Sequence, residues 1–273
     1  MRRMTDEAGW AGAADPARRI GHAVEFHPEI GSTNDRARAA LAEPGGEGLA
    51  VVADLQTAGR GRRGRAWLSP SGANLMVSLA LRPRAQPELS SLLGLSVALA
   101  LREACASVAP SAGLAIRWPN DLVDRDGRKV AGILIETVLA EGRLVEAVIG
   151  MGINANWSRD EMPPEIAVQA TSLRELTGSA VERPALLSRL LDALEREIRA
   201  LEQGESPIAR ARTASWLDGR EVEVDVGEQS VSGRVAGLGD DGSLLVDAPA
   251  GRIALAMGEV VRVHDRATAG ASR

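Results

Sequence analysis

Apolar residues fall into two textures along the chain. Up to about residue 212 they gather in strand-length runs at 24–26, 49–55, 75–81, 114–118, 129–136 and 144–149, mostly flanked by Gly, Pro, Asn or Asp, the residues that punctuate strands. Helical patterns lie between them. Ser32, Thr33 and Asn34 stand before the Ala-rich stretch 36–41, which is a helix-start signal. Leu92, Leu93, Val97, Leu101 and Cys105 mark one face of a helix over about 88–108, and 171–176 reads as a short helix. Leu187, Leu190, Leu191, Leu194, Ile198 and Leu201 stripe a helix over about 184–203, with the spacing of a core-facing side. From about residue 216 the pattern shortens to segments at 221–226, 233–238, 243–247, 252–256 and 259–263, separated by Gly and Asp turns. Such a series predicts a small antiparallel barrel. The run 49–55 is expected to pair with 75–81, and 124–128 to turn a hairpin. The expected fold class is α+β: a mixed β-sheet with packed helices over 21–212 and a small C-terminal β-domain over 213–265, with flexible tails at 1–20 and 266–273.

Composition narrows the class. A chain of 273 residues that is 45% hydrophobic and 25% charged can bury a sizeable core. With no Tyr, one Phe and five Trp, that core must rest on Leu, Val, Ile and Ala. A net charge of −5 supplies no global basic field to draw in nucleic acid or an anionic membrane. Cys105 is alone, which excludes an internal disulfide and fits a reducing cytoplasm. Its place in an apolar helical pattern makes it a buried, inert thiol. His22, His27 and His264 lack metal-ligand spacing. No stretch reaches the length of a membrane span, and the N-terminus has no apolar segment of the secretory type.

The stretch 56–67 reads Gln-Thr-Ala-Gly-Arg-Gly-Arg-Arg-Gly-Arg-Ala-Trp, so that Gly59, Gly61 and Gly64 alternate with Arg60, Arg62, Arg63 and Arg65. Glycine weakens helix and strand alike, and guanidinium groups resist burial without partners, so the run is a surface loop. Arginine offers a planar fork matched to carboxylate and phosphate oxygens, and glycine lets backbone N–H groups approach the same anion. A loop closing over a phosphate-bearing ligand, a nucleic-acid-binding Arg/Gly segment and a merely solvated loop all fit this composition. Three other places invite a ligand. The hydroxyl and N–H groups around Ser32 can bind a polar group or only cap a helix. Lys129, opening an apolar run, can face an anion or solvent. The Gly/Asn-rich stretch 150–156 allows close backbone approach, or a bulge.

Six motifs, in order, closely resemble biotin protein ligase, also called biotin–[acetyl-CoA-carboxylase] ligase. They are Ser32-Thr33-Asn34, the 56–67 loop, Ser69-Pro70 with Gly72-Ala73-Asn74-Leu75, Trp118-Pro119-Asn120-Asp121, the run Lys-Val-Ala-Gly-Ile-Leu-Ile-Glu at 129–136, and Gly-Met-Gly-Ile-Asn at 150–154. The resemblance spans about 20–265. It implies a catalytic domain like that of class II aminoacyl-tRNA synthetases and an SH3-like C-terminal barrel. ATP and biotin would be the substrates, with Mg²⁺ expected, and biotinyl-5′-AMP the intermediate. The acceptor would be a lysine of a biotin carboxyl carrier protein.

The resemblance also implies roles. Ser32, Thr33, Asn34 and Gln56 match the polar set around the ureido head group, and Arg60, Gly61 and Arg62 match the adenylate loop. Lys129 matches the lysine at the biotin carboxylate and the bridging oxygens; Lys129 and Arg62 are the expected electrostatic contributors to adenylation. Gly132 is expected near the valeryl chain. Arg65, Trp67, Asn120, Asp121 and Asn154 are expected on the nucleotide or metal side, with the metal ligands unassigned. Bifunctional members of the family carry an N-terminal winged helix-turn-helix; with the Ser-Thr-Asn motif at 32, no DNA binding or repressor activity is expected here. A cytoplasmic monomer or homodimer without membrane partners is expected. The alternatives are a lipoate-type ligase on the same architecture, an anion- or RNA-binding module, and a non-catalytic biotin-binding paralogue. The complete Arg/Gly loop favours biotin over lipoate. Lys129, Gln56 and 150–154 have no use in a nucleic-acid module, and retention of Lys129 with the full loop weighs against a non-catalytic paralogue.

Overall fold

The computed structural model describes residues 9–264 apart from 86, 142 and 228. Among these residues the larger sheet is built from β1 (Val24–His27), β2 (Ala50–Ala53), β3 (Leu75–Leu81), β4 (Ala115–Arg117), β5 (Asp121–Val123), β6 (Lys129–Ala140) and β7 (Arg143–Ile153). Their order across the sheet is β1-β2-β3-β7-β6-β5-β4. β1 runs parallel to β2 and the other pairs are antiparallel, which makes the sheet mixed, as expected.

Side-chain alternation sorts the two faces. Val77, Leu79, Leu81 and Ile149 belong to the main core, together with the helices Leu93–Val108 and Arg183–Glu202. Val51, Ala80 and Val148 belong to a second cluster with Ala37 of the helix Thr33–Ala40. The period of two therefore assigns Met76, Ser78, Gly150 and Gly152 to this second face. That face carries the candidate site. The stripe of the long C-terminal helix is fully inside, with Leu187, Leu190, Leu191 and Leu194 all at 0% exposure.

Several elements differ from the sequence reading. The helix expected over 88–108 is two, Pro87–Ser90 and Leu93–Val108. The break seats Ser91 Oγ 3.2 Å from the Asp241 carbonyl it donates to. β7 continues through Gly150–Ile153, so these glycines lie inside a strand and not at its exit. β5 and the helix Ile208–Thr213 were not anticipated; three residues and a single buried pair, Ile208 and Ala211, are too short to show a period. The segment expected as a flexible tail is packed in its described part. Trp10 is 2% exposed and stacks on Phe26 with centroids 5.6 Å apart, and Ile20 is 1% exposed. Two large apolar residues anchor that stretch without any periodicity. Residues 1–8 and the expected tail 266–273 lie outside the described residues.

The C-terminal sheet comprises β8 (Glu221–Asp225), β9 (Ser230–Leu238), β10 (Leu244–Ala248), β11 (Gly251–Leu255) and β12 (Glu259–His264), in the order β11-β10-β9-β8-β12. The last strand returns to pair with the first, the SH3-like curl, around Val222, Val224, Val235, Leu238, Leu244 and Val246. It is docked on the larger domain, directly and through the helix Ile208–Thr213 and the segment that follows it. Trp118 Nε1 donates to Gly242 O at 3.2 Å, Arg212 Nε to Leu238 O at 2.8 Å, and Trp216 N to Ile116 O at 2.8 Å. No helix among the described residues is long and apolar enough to cross a membrane.

Candidate active site

Strand register sets the floor of the site. Ser78 and Leu134 flank Gly150, and Met76 and Gly132 flank Gly152. The absent side chains leave room for others. A Cβ on Gly150 would stand 2.2 Å from Asn34 Oδ1, and one on Gly152 would stand 2.4 Å from the Trp67 indole. A Cβ on Gly132 would stand 2.8 Å from Lys129 Nζ. Close approach, more than backbone freedom, requires glycine at these positions.

One end of the hollow carries a cluster of uncharged polar side chains, one of which, Asn34, donates through Nδ2 to the Glu136 carboxylate at 2.7 Å. The start of the helix Thr33–Ala40 brings Ser32, Thr33 and Asn34, all buried, against Ser78, which is 0% exposed. Thr33 N and Oγ1 lie 2.8 Å and 3.0 Å from Gln56 Oε1, their shared acceptor. Ser78 Oγ lies 2.7 Å from Thr33 Oγ1 and 2.6 Å from Asn34 Oδ1, and its one proton can serve only one of them. Gln56 Nε2 faces Met76 Sδ at 3.4 Å, a weak acceptor for an amide donor. The Ser32 side chain makes no cap bond. This cluster holds donors and acceptors that a ligand with urea-like polarity can engage.

The other end is cationic. Lys129 Nζ lies 2.7 Å from Asp121 Oδ1 and 5.4 Å from the centroid of the Trp67 ring. Arg117 holds the other Asp121 oxygen at 2.7 Å. Burial alone would raise the Asp121 carboxyl, but the Lys129 ammonium and the Arg117 guanidinium outweigh it and hold the group below its ordinary value. Arg62 is half-buried and donates to Asn120 Oδ1 at 3.2 Å and Gly258 O at 3.1 Å. Its burial lowers its pKa, yet a guanidinium keeps its charge.

The remaining loop arginines face protein carboxylates. Arg60 pairs with Asp35 through 2.6 Å and 2.9 Å bonds. Arg63, in the left-handed region at φ 54°, pairs with Asp225 at 2.5 Å and Glu259 at 3.3 Å. Arg65 pairs with Glu259 at 2.5 Å. The loop is thus fastened to the C-terminal sheet.

Two cavities meet here. The first, about 490 Å³ including space open to solvent, takes in the polar cluster and the glycine floor. The second, about 1910 Å³ on the same measure, runs between the two sheets. Gly61, Arg62, Trp67, Asn120 and Lys129 line both. Ser32, Thr33, Asn34, Gln56, Arg60 and Gly132 line the first alone; Arg65, Asp121 and Asn154 line the second. The Asn154 amide N–H₂ is held by the Lys129 and Thr171 carbonyls at 3.3 Å and 3.1 Å, so much of its work is to fix backbone. Sequence reasoning missed Ser78, Arg117 and Trp157 in the lining. Ser78 had one signal, a lone hydroxyl inside an apolar strand run; the other two had none.

Residues 29–154 match the model of the biotin/lipoate A/B protein ligase family, and 219–263 that of the biotin protein ligase C-terminal domain. A biotin–[acetyl-CoA-carboxylase] ligase from Paracoccus denitrificans is 38% identical over 84% of this chain and 96% of its own length. The bifunctional ligase/repressor BirA of Bacillus spizizenii is 32% identical, covering 85% of this chain and 71% of that protein. Among solved structures, biotin protein ligase from Aquifex aeolicus in complex with biotin and ATP superposes with a TM-score of 0.72 at 31% identity, over 86% of this chain and 96% of that one. Both domains and their order agree with these matches, and the chain belongs to the biotin protein ligases of the biotin/lipoate ligase family.

Proposed function

We propose that the chain activates biotin with ATP as biotinyl-5′-AMP and transfers the biotinyl group to a specific lysine of a biotin carboxyl carrier protein of acetyl-CoA carboxylase. The observation that supports this best is the division of the cleft. A cluster of uncharged polar side chains leads along a glycine floor to cations at the mouth of a larger cavity. Biotin has its parts in the same order: an uncharged ureido ring, an apolar chain and a carboxylate. The nucleotide takes the larger cavity, and the reacting atoms meet at the lining the two cavities share.

In the first step a carboxylate oxygen bonds to the α-phosphorus as the bond from that phosphorus to pyrophosphate breaks. Two anions must approach each other, so fixed cations at that point lower the barrier directly. Lys129 has three donors, of which Asp121 engages one. Arg62 presents its fork from the loop. In the second step the acceptor's neutral amine bonds to the acyl carbon, the acyl–phosphate bond breaks, AMP leaves and the amine gives up a proton. Among the described residues no group of three His, Cys, Asp or Glu side chains could hold a metal ion, and the cleft carboxylates Asp121 and Glu259 are each already paired with two cations. That donor set suits Mg²⁺ carried in on the nucleotide phosphates, where it would neutralise the leaving pyrophosphate.

The test is biotin-dependent exchange of labelled pyrophosphate into ATP. Wild-type protein is expected to exchange, and Lys129→Ala or Arg62→Ala to lose about 10²–10³ in rate. Exchange with lipoate and none with biotin would overturn the substrate assignment.

A further inference from the structure

We propose that Arg183 is a positioning residue for this reaction, acting on both ends of the Arg/Gly loop from the first residue of the helix Arg183–Glu202. The inference rests on the ligase reading above. Asp54 follows β2 and Asn74 precedes β3, so the segment 55–73 between them carries Gln56, Arg60, Arg62 and Trp67. Arg183 Nη1 donates to Asp54 Oδ1 at 2.7 Å and to the Asn74 carbonyl at 3.1 Å. One guanidinium thereby ties the entry of the loop to its exit. The Gly72 N–H, donating to Asp54 O at 3.1 Å, closes the same neck.

Three features set this contact apart from an ordinary surface ion pair. The Arg183 and Asp54 side chains are only 17% and 20% exposed, so solvent and salt screen them little. The guanidinium lies 5.2 Å from the centroid of the Trp10 ring, which is itself buried and stacked on Phe26. A cation at a helix N-terminus also opposes the helix dipole, so helix stability does not favour arginine there. The neck is fixed to the sheet that carries the site. Asn74 is fully buried, and its Oδ1 accepts from Ala155 N at 3.0 Å, just beyond β7. Arg183, Asp54 and Trp10 line neither cavity, so they act through the loop and not on the ligand. Because reacting groups misplaced by about 1 Å lose large factors in rate, a loosened neck is felt at Arg62 and Gln56.

The experiment compares wild type with Arg183→Ala, Asp54→Ala and the double variant. It measures release of biotinyl-adenylate without acceptor, and tryptic cleavage within 60–65 with biotin and ATP present. Each single variant is expected to release the adenylate about tenfold faster or more and to be cut faster. The double variant is expected to be no worse than Arg183→Ala, because Arg183→Ala alone already removes both neck bonds, the one to Asp54 included. Arg183→Lys, which keeps charge without the fork, is expected to fall between wild type and Arg183→Ala; with Asp54→Asn it carries the test should the alanine variants fail to unfold cooperatively. Unchanged release and cleavage in the folded variants, or additive effects in the double, would refute the clamp. A wild-type protein that makes no adenylate refutes the ligase reading instead.

Discussion

Gly152 shows how far one missing side chain reaches. Its neighbours Met76 and Gly132 hold its backbone in a ladder on both sides, so the strand cannot retreat from an added methyl group. The Trp67 indole, 2.4 Å from where that methyl group would stand, must move instead. Overpacking a rigid core costs about 1–3 kcal/mol, but Trp67 sits on a loop and can swing away. The penalty should therefore appear in the site and not in global stability. Gly152→Ala is expected to raise the KM for biotin about tenfold, to shift tryptophan emission, and to leave the urea midpoint close to wild type. A normal KM would show that Trp67 has no part in shaping the pocket. The sequence already singles out 150–156 as a place for close approach or a bulge. Strand period decides between the two, because Gly150 and Gly152 fall on the Ser78 face with Met151 turned to the core.

At the scale of elements, legibility followed length. The stripe over 184–203 and the run 75–81 were readable because each repeats its period several times, and both are found within a residue of where the pattern placed them. β4 and β5 are three residues each, and β5 sits where Pro119 and Asn120 signal only a turn. Yet this hairpin assembles the cationic end of the site. Arg117 on β4 pairs across to Asp121 on β5, and Asp121 lies beside Gly132 on β6, so that three strands deliver an arginine, a carboxylate and Lys129 to one point. An acid-stability signature follows. The folded-state pKa of Asp121 lies below its ordinary 3.8, so its ionised form stabilises the fold above about pH 4. That contribution fades as the pH falls below this value toward the folded-state pKa. Wild type and Asp121→Asn should differ in denaturant midpoint by a constant amount from pH 7 to about 5 and converge as the pH drops below about 4. A difference that persists unchanged at about pH 3 would mean the carboxylate is not what the pair contributes.

The whole molecule turns on one loop held in three places. Its neck is closed by a sheltered arginine from a distant helix, its near side by Arg60 on Asp35, and its tip by Arg63 and Arg65 on Asp225 and Glu259 of the small sheet. None of this could be read from composition, because all four loop arginines look alike in sequence while only Arg62 faces the shared lining without a carboxylate partner among the described residues. The fastenings should also respond differently to salt. Arg63 and Arg65 are 38% and 67% exposed, and exposed pairs contribute about 0–1 kcal/mol each and weaken as ionic strength rises. The Arg183 contact is sheltered and should not. Raising salt from about 0.05 M to about 0.5 M, where the Debye length falls well below 10 Å, is expected to speed tryptic cleavage within 60–65 several-fold in wild type. The double variant Asp225→Asn, Glu259→Gln should start from the faster rate and change little with salt. If it remains as salt-sensitive as wild type, the small sheet does not hold the loop. A lower rate of pyrophosphate exchange in the double variant, with cooperative unfolding retained, would then assign the C-terminal domain its share in catalysis: it keeps Arg62 facing the nucleotide by holding the arginines on either side of Gly64.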